Sequence, residues 1–178
     1  MRPFVVFLRA VNVAGRSVPM AALRTHLTAA GFGDVASYIQ SGNLLLSTEL
    51  PREDDVATAV QDTVGKHFGV PTAAVVRTPA ELADIARVGA ALPDPFASPS
   101  RRYVALAQEA FPPAALAELD AWSVPGERAK VVGRECFLWF EVPFHKARLG
   151  NARIERTGVV STTRDWKVVT ALAERWGG

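Results

Sequence analysis

One cysteine, Cys136, stands among the 178 residues, so no disulfide closes within the chain and noncovalent packing must hold the fold. A chain so poor in cysteine suits a reducing compartment, and a cytoplasmic location is expected. No stretch approaches the ~20 consecutive apolar residues of a membrane span. The apolar run in "MRPFVVFLRAVNV" stops at Arg9, too early for a signal peptide, and no membrane partner is expected. An excess of one charge is missing too: 20 basic residues face 18 acidic ones, a net +2 too small to imply nucleic-acid or membrane binding by itself, and a nucleic-acid partner is not expected. Histidine is scarce. His26, His67 and His145 are far apart in sequence, with no His-x₃-His spacing and no neighbouring cysteine, so a zinc site is not expected. No cofactor is expected. GxSxG and paired Ser-Lys or Cys-His signals are lacking, and no catalytic residue is assigned.

What remains is an ordinary globular composition, 49% hydrophobic and 21% charged. The chain is long enough for two domains of roughly 80–90 residues, each with a modest core. Residues 4–9 form a short apolar run, read as a buried strand. Pro19 then suits a helix start, and Met20, Leu23, Leu27 and Ala30 share one helical face. Gly31 and Phe32 fit a Schellman ending with Leu27 as the apolar contact. Residues 35–40 and 44–48 read as a hairpin turning through "SGN". Asp54 and Asp55 open a second helix striped by Val56, Val60, Val64 and Phe68 and stopped by Gly69. A strand over 72–78 completes β-α-β-β-α-β, the order of a ferredoxin-like plait.

Residues 79–88 read as a short helix, and "GAALPDPFASPS" (89–100) as the linker between domains 1–78 and 101–178. The pattern then partly recurs: a strand at 102–107, a helix at 112–122, strands at 129–132 and 136–142, and a helix at about 146–157. The short apolar segment 159–161 and a helix over 163–176 leave the second plait incomplete, with a C-terminal helix. The expected class is α+β with two ferredoxin-like subdomains.

"FLRAVNVAGRSVPMAALRTHL", "GFGDVASYIQSGNLLLS" and "TTRDWKVVTALAE" together resemble the DUF1697 family of bacterial proteins of unknown function. The resemblance implies two plait-like subdomains and no particular activity. Two positions depart from the family pattern: Ala14 where glycine is expected, and Asp165 where asparagine is expected.

The first strand runs into a loop carrying Arg9, Asn12, Gly15 and Arg16 before the helix. Unpaired N–H groups at a helix start attract anions, and Arg9 and Arg16 add charge-assisted contacts. Asn12 offers an amide, and Gly15 permits close backbone approach. The loop matches neither GxGxxG nor GxxxxGK[ST], and a solvated connection is the plainer reading. In "YIQSGN", Gln40, Ser41 and Asn43 offer hydrogen-bonding groups, and a tight turn wants the same residues. In "TTRDW", Thr162 and Asp165 fit a capping box, Trp166 belongs to a buried stripe, and Arg164 has no structural duty. Cys136 alternates with Leu138 and Phe140 as a core thiol. Residues 146–167 carry six basic and two acidic side chains, the one charge asymmetry of the chain.

These observations predict a site built from the 9–16 loop, the 40–43 turn and Arg164, taking a small anionic or phosphorylated ligand. An RNA-binding plait is the first alternative, weakened by missing RNP patterns and by Phe4 and Phe7 lying on opposite strand faces. A protein-interaction module using open sheet edges is the second.

Overall fold

Alternation along the first strand puts Phe4, Val6 and Leu8 on one face and Val5 and Phe7 on the other, and all five are buried. Double burial is why this segment reads as an unbroken apolar run. The computed structural model describes all residues except 13, 14 and 16. Its elements run β1 (Arg2–Leu8), α1 (Met20–Ala29), β2 (Gly33–Tyr38), β3 (Asn43–Thr48), α2 (Glu53–Phe68), β4 (Ala74–Arg77), α3 (Pro79–Ala91), β5 (Arg101–Ala107), α4 (Pro113–Asp120), β6 (Glu127–Val132), β7 (Glu135–Phe140), α5 (Asn151–Glu155), β8 (Ser161–Asp165) and α6 (Trp166–Trp176). A 3-10 turn occupies Phe144–Lys146. Two compact units result: Met1–Ala83 with Leu172–Gly178, and Asp84–Ala171.

The first unit holds an antiparallel sheet in the order β2-β3-β1-β4. Met20, Leu23 and Leu27 of α1 and Val56, Val60 and Val64 of α2 cover one face of it, joining Phe4, Val6, Leu8, Leu44 and Leu46 in one core. Each fully buried aliphatic side chain contributes about 1.5–3 kcal/mol. The predicted Schellman ending of α1 is present: Gly31 has φ +94°, its N–H donates to Thr28 O at 3.0 Å, and Phe32 N–H donates to Leu27 O at 3.1 Å. Gly69 ends α2 with φ +64° and an N–H bond to Gly65 O at 3.0 Å. Pro19 is the residue flanking α1 rather than its first helical position. Before α3, Thr78 and Glu81 form a reciprocal capping box: Thr78 N–H donates to Glu81 Oε2 at 2.8 Å, and Glu81 N–H to Thr78 Oγ1 at 3.2 Å.

The second unit repeats the arrangement with strand order β6-β7-β5-β8. Its core gathers Ala105, Phe111, Leu119, Cys136, Leu138, Phe140, Leu149 and Ile154. Three expectations are corrected here. The second sheet is complete, because residues 161–165 pair with β5 (Val104 opposite Arg164, Leu106 opposite Thr162), so Thr163 lies in a strand and α6 starts at Trp166. Asp165 is therefore no capping-box partner of Thr162. Its Oδ1 accepts the Lys167 N–H at 2.8 Å, which caps α6 directly. The helix expected at about 146–157 is only the five-residue α5. Ahead of it, Leu149 and Arg148 are tied by their N–H groups to the buried carboxylate of Glu127, at 2.8 and 2.7 Å.

Candidate functional site

Register decides what meets at the end of β1. Phe7 pairs with Asn43, so the loop leaving β1 and the 39–42 turn lie side by side, and Leu8 N–H donates to Gly42 O at 2.7 Å. Asn12 links the two segments. Its Nδ2 donates to Gln40 O at 2.5 Å and to Val18 O at 3.2 Å, while its Oδ1 accepts Val18 N–H at 2.7 Å. One amide thus spans both ends of its own loop and the neighbouring turn. That duty is structural, and no helical or strand periodicity could have announced it.

Asn43 is fully buried and closes the turn from below, donating to Ser41 Oγ at 2.8 Å and Tyr38 O at 3.2 Å. Gln40 and Ser41 are exposed. Gly42 has φ +75°, and a Cβ there would fall 2.7 Å from Leu8 Cβ and 2.9 Å from Val11 Cγ2. Two non-glycine residues beside this junction adopt the left-handed region, Ala10 at φ +54° and Ile39 at φ +50°. For a β-branched residue that conformation is strained, and Ile39 is also 49% exposed.

Arg9 is pinned through its backbone on both sides. Its N–H donates to Ala73 O at 2.9 Å, and its carbonyl accepts the Thr72 hydroxyl at 2.7 Å. Its half-buried side chain, with Ala10, Pro71, Thr72 and Ala73, lines a hollow of about 330 Å³. No motif in the sequence singles out the 71–73 wall, since it comes from a segment more than sixty residues away. Gly15 has φ +82° with no described atom within 4 Å of an added Cβ, so its backbone conformation is what calls for glycine. Arg16 lies outside the described residues.

The family described as "Protein of unknown function (DUF1697)" matches residues 1–137, which include this whole junction. The chain belongs to the DUF1697 family. Among solved structures, the conserved bacterial protein SP0830 from Streptococcus pneumoniae is similar in fold, at 17% identity over 97% of each chain and a TM-score of 0.69. No curated protein matches this DUF1697 chain.

The remaining predicted site residue of this DUF1697 protein, Arg164, lies in the second unit. It is 7% exposed, and its Nη1 donates to Thr162 Oγ1 at 2.8 Å and to Thr163 O at 3.1 Å. Burial lowers its pKa to about 10. Its side chain therefore has bonds within its own strand, a structural duty the sequence had not disclosed. Burial likewise raises the pKa of the Cys136 thiol, with Asp120 adding to the effect, so no reactive thiolate forms there near neutral pH.

No helix among the described residues is long and apolar enough to cross a membrane. Nor do three His, Cys, Asp or Glu side chains among them gather in a cluster that could hold a metal ion. The DUF1697 fold does bring two histidines together. His26 and His67 stack with ring centroids 3.8 Å apart and planes 15° apart, and Phe68 meets His26 edge-on. The pKa of His67 is lowered from 6.5, first by lost solvation, then by His26 and Lys66. Those effects outweigh the helix C-terminus, which alone would favour the imidazolium. The folded chain thus holds this proton less well than the unfolded chain does. The stability involved is complete above the unfolded pKa and is lost as pH falls through and below it. Thermal unfolding between neutral pH and about pH 5 is expected to show wild-type stability falling below about 6.5, with a shallower fall in His67→Asn. Parallel curves for the two proteins would contradict this.

Proposed function

We propose that this DUF1697 protein binds a small anionic or phosphorylated ligand at the hollow beside the end of β1, with the Arg9 guanidinium as the charged contact. The observation carrying the proposal is the pinned backbone of Arg9, whose side chain lines a hollow of about 330 Å³ together with Ala10, Pro71, Thr72 and Ala73. Preorganisation of this kind cuts the ordering cost of binding, and a guanidinium fork suits phosphate and carboxylate oxygens. Strain at Ala10 and Ile39 beside the same junction supports the reading, because strained conformations cluster at ligand sites. The described lining supplies a cation and a hydroxyl, and the role inferred from them is binding. The scaffold inferred for it is a ferredoxin-like plait in each unit, supported by strand orders β2-β3-β1-β4 and β6-β7-β5-β8.

The test is thermal unfolding of wild type and Arg9→Ala against inorganic phosphate, nucleotides and phosphorylated metabolites. A ligand at a hundred times its Kd adds about 2.7 kcal/mol, or roughly 5–10 °C in Tm for a chain of this size. Wild type is expected to gain that shift and Arg9→Ala to lose most of it. Absence of stabilisation by every anion in the screen, or equal shifts in both proteins, would overturn the proposal.

A further inference from the structure

On the face of the second sheet opposite its core, cross-strand register sets Arg128 of β6, Trp139 of β7 and Arg102 of β5 in one row. Trp139 alternates with the core residues Leu138 and Phe140, which is why it points away from them. The two arginines flanking it are used differently. Arg102 lies between the rings of Trp139 and Trp166, 5.4 and 4.7 Å from their centroids, and donates through Nη2 to Gly89 O. Arg128 sits 5.3 Å from the Phe96 ring and donates through Nη1 to Val124 O and Glu127 O, at 3.0 and 2.7 Å. Its Nε and Nη2 make no hydrogen bond among the described residues.

Beside this row is a cavity of about 240 Å³, walled by Leu92, Pro93, Pro95 and Trp139, with Arg128 and Lys130 also lining it. Lys130 is already neutralised by Asp120, at 2.6 Å. Among the described lining residues, Arg128 is then the cation without a carboxylate partner, and its Nε and Nη2 form the fork that grips a carboxylate edge-on. The volume lies below the ~300 Å³ at which pockets for drug-sized molecules begin, so the space suits one ring rather than a nucleotide. Trp139, 3% exposed, is held in place under this space and forms one of its walls.

We propose that this cavity is a second site, independent of the Arg9 hollow, for a single-ring aromatic monocarboxylate. The ring would occupy the apolar space against Trp139, and the carboxylate would meet Arg128 Nε and Nη2. Benzoate is the probe, and benzamide, of matching shape without the charge, is its control. The readout is the Trp139 indole N–H resonance of the intact protein, assigned with Trp139→Phe. Benzoate is expected to shift that resonance saturably, with affinity at least about tenfold above benzamide's. Arg128→Gln should erase the preference for charge, while Arg9→Ala leaves it unchanged. The probe comparison on wild type needs no substitution, so it stands even if Arg128→Gln folds poorly. Equal affinity for the two probes, or no change at Trp139 at millimolar benzoate, would overturn the assignment.

Discussion

Replacing Glu127 by alanine is expected to destabilise the protein by about 3–4 kcal/mol, read from urea unfolding. The carboxylate is 3% exposed and collects three N–H groups: Arg148 N at 2.7 Å on one oxygen, Leu149 N at 2.8 Å and Trp122 Nε1 at 3.3 Å on the other. Removing it strands those donors, at about 1–3 kcal/mol for each that water does not reach. It also releases the segment that seats the fully buried Leu149 in the second core. Glu127→Gln separates the contributions. Its amide oxygen still serves one pair of donors, but its NH₂ faces the remaining N–H, so the loss should fall between wild type and alanine. Amide exchange should accelerate at Arg148 and Leu149 first, because their N–H groups are the ones released. An alanine variant within about 0.5 kcal/mol of wild type would show that the carboxylate is not the clamp described.

A comparable loss, about 3 kcal/mol, is expected for Gly42→Ala. Two effects add there. The φ of +75° costs an alanine about 1 kcal/mol, and its Cβ would sit 2.7 Å from Leu8 Cβ and 2.9 Å from Val11 Cγ2, so the turn must move off β1. Gly69→Ala is the internal control, since Gly69 has φ +64° with nothing within 4 Å of the added atom. Only the conformational cost applies to it, about 1 kcal/mol. The difference between the variants measures the close approach alone. It also bears on the Arg9 site, because pushing the turn away strains the Asn12 to Gln40 bond that joins the two segments. Equal losses at the two glycines would mean that the 39–42 turn yields freely and that the junction is not preorganised.

Much of the first unit is readable along the chain because its signals are local. A left-handed glycine next to an apolar residue ends α1 at Gly31-Phe32 whatever surrounds it, and the acidic first turn and Gly69 delimit α2 in the same way. The Thr78-x-x-Glu81 box is an equally local signal, one that periodicity alone does not pick out. At 162–166 local signals mislead. Thr162 and Asp165 have capping-box spacing, and the stripe from Trp166 onward is helical, but β5 offers a ladder that draws 161–165 into a strand and leaves Asp165 to cap α6. The candidate site divides similarly. Asn43 and Gly42 are turn-formers by type, whereas Arg9 owes its hollow to residues 71–73 and Asn12 owes its role to Gln40.

Composition and spacing alone determine the mixed α and β character, the order of most elements, and a polar loop at the end of the first strand. Those depend on backbone preferences and apolar periodicity within a few residues. Tertiary structure decided the rest: strand pairing the fourth strand of the second sheet and the row around Trp139, helix packing the stacked histidines, and loop docking the buried Glu127 clamp. Each needs groups distant in sequence to share a register or a space, and desolvation then assigns a side chain its bonds and its charge only after the chain has closed around it.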